Sequence, residues 1–359
     1  MSTGGFFEGR RVTVTGGASF IGSHLSAALL AAGAKVRVAD NYSSGSPANL
    51  SPIVADIETI EVDLRDPDAA RAACAGAELV FHLAAAHGGR GYIDSHEAQC
   101  AENLLLDQMV LRAALRAGTE KVVYASSACV YPTGLQRMPA PDRKLREEMV
   151  GPPYEPDGMY GMAKLCGELS LRSLVSEHGL DGVICRYFTA YGPRCSESHA
   201  IIAMIARAFT GADPFEVWGT GEQIRTWIYV DDVVRMTMLA AERLSGGQAV
   251  NVATEERHTV REAAELVLRT TGHRARIRTR PDMPTGPMYR SADAGLARKL
   301  LGYTARVGLA EGVRRTAEWY YATKDRDLTR RLLDRLLVER GTGPDGPGRD
   351  QGDGGEGAP

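Results

Sequence analysis

The sequence has 359 residues with 42 basic and 45 acidic side chains, so its formal net charge is −3. A chain of this length buries a large core and can hold two closely packed lobes. It has no basic block and no membrane-spanning apolar run, which argues against nucleic acid and membranes as partners. The N-terminus lacks the order of a signal peptide, and the six cysteines form no C-x-x-C pair. We therefore expect a cytoplasmic protein with reduced thiols and no metal site.

The first predicted element is a strand over residues 11–15, followed by a glycine turn and an apolar helix over residues 21–32. This order places a pyrophosphate at a helix N-terminus. The turn G-G-A-S-F-I-G has Gly16 and Gly22 at its ends and Ser19 in the middle. The Cβ of Ser19 keeps phosphates slightly farther from the backbone than glycine would, although its hydroxyl can donate to one.

A second strand, residues 35–39, ends at Asp40. A carboxylate at this place accepts hydrogen bonds from both hydroxyls of the adenosine ribose and repels a 2′-phosphate. Arg37 lies within the strand, not after Asp40, where a phosphate-binding arginine is usual. The segment therefore predicts NAD, rather than NADP, as the cofactor.

Two further strands are predicted over residues 60–62 and 79–83, and A-A-A-H-G-G-R-G-Y-I follows the second. Ala84 and Ala85 are small where a cofactor backbone passes closely. The three glycines that follow can bring main-chain amides against a ligand, or they can belong to a flexible surface loop. Residues 98–117 are predicted to form one helix.

A buried strand over residues 122–124 delivers Ser127 and Cys129 just past its carboxyl end. In an open parallel sheet, ligands bind at that edge. Tyr160 and Lys164 follow about thirty residues later, and their spacing of four places them on one helix face. A Y-x-x-x-K pair alone is common by chance, but together with the strand-end serine and the glycine turn it predicts a catalytic site.

The intervening residues 133–157 are rich in proline and charge, and we predict a loop over that site. The helix with Tyr160 should run to residue 178, and a strand over 182–186 and a helix over 200–210 should follow.

Two later segments carry candidate anion-binding arginines. In F-E-V-W-G-T-G-E-Q-I-R, Gln223 and Arg225 lie two apart and would face one way on a strand. Arg290 lies in G-P-M-Y-R-S-A-D. A guanidinium is planar and bidentate, so two of them suit a diphosphate, whereas each alone could be a surface arginine.

The glycine turn, the strand-end serine and the Y-x-x-x-K pair resemble the extended short-chain dehydrogenase/reductases, which include the NAD-dependent epimerase/dehydratase family. The resemblance implies an α/β fold, a Rossmann-type doubly wound parallel sheet with a smaller mixed α/β lobe for the substrate. The NAD-binding domain would span residues 1–185, with strands from about 224–252 returning to it, and the sugar-nucleotide lobe 186–323. A C-terminal helix over 324–340 and a disordered tail over 341–359 would follow.

The last predicted helix carries a stripe of Leu328, Leu332 and Leu336. The stripe could cover the edge of the core or a partner subunit. The resemblance implies a homodimer.

The resemblance assigns a role to individual positions, including the catalytic set Ser127, Tyr160 and Lys164. The implied cofactor-binding positions are Gly16, Ser19, Phe20, Ile21, Gly22, Asp40, Asn41, Asp63, Leu64, Leu83, Ala84, Ala85, Tyr160, Lys164 and Tyr187. The implied substrate-binding positions are Gly88, Gly89, Arg90, Thr189, Trp218, Gln223, Arg225 and Arg290.

The chemistry so implied is oxidation of a sugar 4-hydroxyl, whose proton Tyr160 removes. Lys164 and the positive nicotinamide should lower the pKa of Tyr160 toward neutrality. The runs G-G-R-G-Y-I, S-S-A-C-V-Y-P and Y-G-M-A-K-L are similar to the GDP-mannose 3,5-epimerase branch, over roughly residues 11–322. The position of the base in that branch corresponds to Cys129 in this sequence. A thiol can serve as a base if its pKa is lowered. The implied substrate is a nucleotide-diphospho-sugar such as GDP-mannose, changed at C5, C3 or both.

Two positions depart from that branch. Its second acid/base is a lysine, whereas the shorter loop here, P-R-C-S-E-S-H-A, has none. The best alignment with the branch puts His199 at the place of that lysine. Imidazole can deliver a proton near neutral pH, so the role could survive, and Arg194 is the next candidate. Thr189 stands where the branch has a substrate-binding asparagine. The substrate and the stereochemistry of the product therefore stay open.

Other functions on the same scaffold are a 4-epimerase, a 4,6-dehydratase and a sugar-nucleotide dehydrogenase. The thiol of Cys129 argues against the 4-epimerase, and the missing Asp-Glu pair argues against the dehydratase. A non-enzymatic NAD-binding protein is disfavoured because Tyr160 and Lys164 are both intact.

Overall fold

The computed structural model describes residues 4–137 and 142–339. The predicted tail over 341–359 lies outside the described residues. The strands are β1 Arg11–Thr15, β2 Lys35–Asp40, β3 Glu58–Glu61, β4 Leu79–His82, β5 Lys121–Ser127, β6 Asp181–Tyr187, β7 Thr189–Tyr191, β8 Phe215–Trp218, β9 Ile224–Arg225, β10 Trp227–Tyr229, β11 Gln248–Val252, β12 His258–Thr259, β13 Ile277–Arg280 and β14 Tyr289–Arg290.

Fourteen α-helices are present in the described residues. They are α1 Gly4–Phe7, α2 Phe20–Ala31, α3 Pro67–Cys74, α4 Arg90–Ser95, α5 Glu97–Ala101, α6 Asn103–Arg116, α7 Thr133–Arg137, α8 Gly158–His178, α9 Ala200–Thr210, α10 Val230–Arg243, α11 Val260–Thr271, α12 Gly295–Leu301, α13 Leu309–Thr323 and α14 Arg326–Leu336. A 3₁₀ turn, Ala128–Val130, directly follows β5.

Seven parallel strands form the central sheet in the order β11-β6-β5-β4-β1-β2-β3. Helices α2 and α10 pack on one face, and α3, α6 and α8 pack on the other. This arrangement confirms the predicted doubly wound parallel sheet. The strand order reverses between β1 and β4, and a crevice for ligands is expected at their carboxyl ends.

Buried side chains alternate between the two faces of the sheet. In β4, Leu79 and Phe81 belong to one core, whereas Val80 belongs to the other. In β5, Val123 and Tyr124 point to opposite cores in the same way. Helices cover both faces, so the middle of each strand is apolar toward both faces, and this continuous run made the strands recognisable in the sequence.

A second group of elements follows the sheet in the chain. Its strands form the small sheets β12-β9-β14, β13-β8 and β10-β7. Helix α9 is buried at every position from Ile201 to Thr210, because α11, α13 and α14 pack around it. Leu336 of the predicted leucine stripe is buried where α14 packs on α9, so the stripe covers an edge of the core.

Some predicted elements differ from the observed ones. The single helix expected over 98–117 is two helices, α5 and α6. At the start of α6, the side-chain carboxamide of Asn103 accepts from the backbone N–H of Ala86 and donates to its carbonyl oxygen. The loop expected over 133–157 contains α7. Of the strands between 224 and 252, β11 joins the central sheet, whereas β9 and β10 lie in the small sheets.

None of the helices in the described ranges has the length and apolar character needed to cross a membrane.

Candidate functional site

A cavity of about 310 Å³ opens at the carboxyl ends of β1, β4, β5 and β6 and extends to β8, β9 and β14. All of the residues predicted for catalysis and for the substrate line it. Those are Gly88, Gly89, Arg90, Ser127, Cys129, Tyr160, Lys164, Thr189, His199, Trp218, Gln223, Arg225 and Arg290. The predicted cofactor positions on its wall are Ser19, Phe20, Ile21, Leu83, Ala85 and Tyr187.

A second cavity of about 140 Å³ adjoins the first one. The two share Ser19, Leu83, Ala85 and His87 as lining residues. The remaining predicted cofactor positions, except for one glycine, line this second cavity. They are Gly16, Asp40, Asn41, Asp63, Leu64 and Ala84. The exception is Gly22.

Gly22 shapes the turn rather than the cavity wall. A Cβ at this position would lie 2.1 Å from the carbonyl oxygen of Gly16, so glycine alone lets α2 begin this close to the turn. Gly16 itself has φ +68°. Asp40 holds the same turn from β2, since Oδ2 accepts a hydrogen bond from the amide of Ala18 at 2.9 Å.

The carboxylate of Asp63 has a partner inside the protein. The guanidinium of Arg65 donates to both of its oxygens, with Nε at 3.0 and 3.1 Å. This hydrogen bond holds the pKa of Asp63 below its usual value. Asp63 therefore meets the second cavity as one half of an ion pair.

Helix α8 lies unusually close to the turn that carries Cys129. A Cβ on Gly161 would lie 2.4 Å from the carbonyl oxygen of Cys129, so this glycine allows the approach. A buried ion pair fixes the same helix to the sheet, because Glu168 binds Arg186 of β6 at 2.7 and 2.8 Å. Tyr160 and Cys129 are thereby brought to the same wall of the cavity.

The protein's own groups do not lower the pKa of Tyr160, contrary to the expectation from the sequence. Desolvation is the largest influence and raises that pKa, and the nearby Cys129 adds to it, whereas a hydrogen bond with Ser127 opposes both. Desolvation also lowers the pKa of Lys164, and the carboxylate of Asp107 opposes this. Tyr160 is therefore a neutral phenol in the protein by itself.

Arg290, which the sequence predicts to bind a diphosphate, is hydrogen-bonded to side chains of the protein. Its guanidinium donates to Gln136 Oε1 at 2.7 Å, to Asp157 Oδ2 at 2.7 Å and to the Sγ atom of Cys129 at 3.4 Å. The same Asp157 oxygen accepts from Arg90 Nη1 at 2.7 Å. The charge of Arg290 is thus shared between a carboxylate and the thiol.

Two other arginines on the cavity wall form no direct ion pair within the described residues. Arg225 donates only to main-chain carbonyls, of Ile224 at 2.7 Å and of Thr285 at 2.8 Å. Arg207 of α9 is 6% exposed and lies over the ring of Trp218, 5.9 Å from its centroid. Neither guanidinium forms an ion pair with a carboxylate of residues 4–137 or 142–339. At longer range, Asp157 acts on Arg225, and Glu216 and Asp334 act on Arg207. Desolvation lowers the pKa of Arg225 to about 9 and that of Arg207 to about 10.

Gln223 does not project beside Arg225 on a strand, because β9 begins only at Ile224. Its side chain closes the preceding turn, accepting from the amide of Gly221 at 2.9 Å and donating to the carbonyl of Trp218 at 3.2 Å. A Gln223 held in this way shapes the cavity wall.

The glycine-rich loop lines the cavity and also packs against the segment around Ser198. A Cβ on Gly89 would lie 1.6 Å from the carbonyl oxygen of Ser198, so the loop packs directly on the segment that carries His199. The amide of Gly89 also donates to Ser198 Oγ at 3.3 Å. The glycine is therefore required by a contact between two segments of the chain.

His199 lines the cavity but is a poor proton donor at neutral pH. Desolvation lowers its pKa to about 4, and its Nδ1 lies 3.2 Å from Ser196 Oγ. The ring of His87 is 6.2 Å away. Arg194, the other candidate acid, donates to Ser23 of α2 at 3.1 Å instead.

Two partly buried histidines predict a loss of stability in mild acid. Burial lowers the pKa of both His24 and His199 to about 4. Between pH 6.5 and 4 the unfolded chain therefore binds protons that the folded protein does not, and the free energy of unfolding falls as the pH falls. The effect is at most roughly 3 kcal/mol for each histidine.

Urea unfolding at several pH values between 7 and 4 measures this effect. The double variant with His24→Gln and His199→Gln should lose less stability over that interval than the wild type. An equal loss in both proteins would contradict the assignment.

Several site residues could not be found from the sequence. Asp157 directly precedes α8, and Gln136 lies in α7, and both were read as parts of a loop. Arg207 lies in an otherwise apolar helical pattern, and a charged residue on the buried side of a helix was the available signal. His82 and Asp107 were hidden inside a strand and a helix.

The sequence and structure match known proteins along most of the chain. Residues 12–253 match the NAD dependent epimerase/dehydratase family. The chain belongs to this family. It is 29% identical to GDP-mannose 3,5-epimerase 1 of Oryza sativa subsp. japonica over 327 residues, which cover 90% of this chain and 84% of that protein.

Two solved structures extend the likeness to the fold. The epimerase Mth375 from Methanothermobacter thermautotrophicus superposes with a TM-score of 0.82 at 29% identity, covering 92% of this chain and 97% of that one. The UDP-glucose 4-epimerase of Thermus thermophilus, solved in complex with NAD, has a TM-score of 0.77 at 27% identity and covers 88% of this chain and 100% of that one.

NAD is the cofactor of the family, and the residues present fit it. The Nζ atom of Lys164 is buried on the cavity wall and has no hydrogen-bond partner among the described residues. The hydroxyls of a ribose can accept its protons. Gly16 and Gly22 keep the turn at the start of α2 close, and Asp40 lines the adjoining cavity.

Proposed function

We propose that this protein is an NAD-dependent nucleotide-sugar epimerase that inverts a carbon next to C4 of a nucleotide-diphospho-hexose, with GDP-mannose as the first candidate. The observation that carries the proposal is the thiol of Cys129 in the catalytic cavity, 3.4 Å from a guanidinium nitrogen of Arg290. A cation at a sulfur stabilises the charge of a thiolate, and a thiolate is a base. The likeness to the rice GDP-mannose 3,5-epimerase supports the same substrate class.

When bound, NAD supplies a reversible oxidation of the sugar at C4. Tyr160 accepts the proton of the 4-hydroxyl once its own phenol is ionised, a form that a charged Lys164 favours, and later returns that proton. Ser127 orients the phenol through its hydrogen bond. A carbonyl at C4 acidifies the hydrogens on the neighbouring carbons, and Cys129 removes one of them. Inversion then requires a proton from the opposite face.

The acid on that opposite face stays a prediction. His199 is neutral at pH 7 because of its lowered pKa, so it would have to receive a proton before donating one. His87 lies on the same side of the cavity, with its ring 6.2 Å from that of His199, and is the second candidate.

Charge on the cavity wall suits a diphosphate. Arg90 and Arg290 form ion pairs with Asp94 and Asp157, whereas Arg207 and Arg225 form none in the described part of the chain. We therefore assign the two phosphates to Arg225, as expected from the sequence, and to Arg207 in place of Arg290. A homodimer and a cytoplasmic location stay predictions.

The test is incubation of the purified protein with a panel of nucleotide sugars in heavy water. We expect one substrate to gain deuterium at C5 or C3 while the cofactor shows no net change. Accumulation of NADH would indicate a dehydrogenase, loss of water a dehydratase, and inversion at C4 without deuterium uptake a 4-epimerase.

A further inference from the structure

A buried group of ionisable side chains packs against Lys164 and is used by none of the steps above. Its centre is Asp107 of α6, which is 1% exposed. The Asp107 carboxylate accepts a hydrogen bond from Tyr124 OH at 2.5 Å and lies 3.0 Å from His82 Nε2. The other ring nitrogen of His82 lies 2.8 Å from the hydroxyl of Thr15.

Lys164 faces this group without a hydrogen bond to it. Its Nζ atom is 4.0 Å from Asp107 Oδ1, which is within ion-pair range but beyond hydrogen-bond range. The same nitrogen lies 4.8 Å from the centroid of the Tyr124 ring. Asp107 thus attracts the ammonium group while leaving all three of its N–H donors for other acceptors.

The close packing of α6 on α8 permits the contact between Asp107 and Lys164. Gly167 of α8 lies one turn after Lys164, and a Cβ there would lie 2.1 Å from Tyr124 OH and 2.7 Å from Asp107 Oδ2. Any larger residue would push the carboxylate or α8 away. The glycine therefore keeps α6 and α8 at the spacing that sets the distance between Asp107 and Lys164.

Other titratable groups near Lys164 do not carry an uncompensated negative charge. Glu168 is bound by Arg186 through both oxygens. Tyr124 and Tyr160 are neutral, since burial or desolvation raises the pKa of each. The thiols of Cys100 and Cys129 face Tyr160.

We propose that Asp107 is a positioning residue that keeps Lys164 charged and directs its three donors into the cavity. The inference rests on the roles proposed for Tyr160 and Lys164. Burial alone would favour the neutral amine, which could not stabilise an ionised Tyr160. A carboxylate at 4.0 Å offsets that penalty without competing for the protons of the amine.

The experiment measures the ionisation of Lys164 directly and needs no sugar substrate. The rate of acylation of the Lys164 amine is followed as a function of pH by peptide mass spectrometry, because only the neutral amine reacts. In Asp107→Asn the midpoint of that profile should fall by at least one pH unit, which corresponds to about a tenfold higher rate at low pH. Tyr124→Phe removes a hydrogen bond but keeps the carboxylate, so its midpoint should stay near the wild-type value.

Binding of NAD provides the second readout. For Asp107→Asn, the dissociation constant should rise about tenfold or more between pH 7 and pH 9, while that of the wild type changes little. Asp107→Glu should restore part of the wild-type profile, and Asp107→Ser replaces the asparagine variant if that one does not fold. Equal acylation midpoints in the wild type and in the neutral variants would overturn the proposal, as would a wild-type midpoint below neutral pH. A protein that turns over no sugar gives the same two readouts, so failure of the proposed function is told apart from failure of this inference.

Discussion

Replacing Cys129 by serine should reduce deuterium incorporation next to C4 of the sugar by at least about a hundredfold, the usual range for loss of a general base. Serine keeps the volume and still offers an oxygen to Arg290, whose nitrogen lies 3.4 Å from the sulfur. A serine hydroxyl ionises far less readily than a thiol, so the variant offers almost no anionic base near neutral pH. The variant should therefore fold, bind NAD and still transfer hydride between C4 of the sugar and NAD. It should lose the exchange of hydrogen with solvent deuterium at C5 or C3.

Cys166→Ser is the matched control for this experiment. Cys166 lies on α8, two residues after Lys164, and is partly exposed. We expect that variant to exchange at the wild-type rate. Exchange at the wild-type rate in Cys129→Ser would instead show that another group removes the proton.

The sequence predicted the sheet and the proximity of Ser127, Tyr160 and Lys164 because both rest on local patterns. A buried strand of a doubly wound sheet is a short apolar run, and β1, β2 and β5 were found in this way. Ser127, Tyr160 and Lys164 follow from spacing along one strand and one helix. The structure places all three on one cavity wall.

The sequence could not predict how the charged groups are shared, because that depends on contacts between distant segments. Arg290 and Asp157 are 133 residues apart and form an ion pair at 2.7 Å. An arginine in a suggestive segment was read as a phosphate ligand, although a carboxylate from a loop neutralises it. The pKa of His199 was misjudged for the same reason, since desolvation depends on what surrounds the ring.

Local patterns also missed the buried polar residues beside Lys164. Asp107 and His82 come from α6 and β4, and only the packing of α6 against α8 brings them to Lys164. In the sequence both residues look like ordinary interruptions of apolar runs. Buried polar residues in predicted core elements are therefore the positions to inspect first in related chains.

Replacing Arg225 or Arg207 by glutamine should weaken binding of a nucleotide-diphospho-sugar by about 1.5–3 kcal/mol each, the range for a hydrogen bond to a charged group. The reason is that both guanidiniums line the cavity without a direct ion pair in residues 4–137 and 142–339, so a diphosphate is their natural partner. Calorimetry with a nucleoside diphosphate and with the matching nucleoside measures the effect. Only the diphosphate should bind more weakly, and NAD binding should be unchanged.

Thermal unfolding of the same variants distinguishes a phosphate ligand from a structural arginine. Loss of Arg225 or Arg207 removes a desolvated charge that forms no ion pair in the described part of the chain, so stability should change little. Arg290→Gln instead leaves the carboxylate of Asp157 with one partner fewer and should lower stability by roughly 3 kcal/mol, as for a broken buried ion pair. Arg274→Gln, an exposed site outside the cavity, serves as the neutral control. Diphosphate affinity that survives in both Arg225→Gln and Arg207→Gln but falls in Arg290→Gln would return the phosphate role to Arg290.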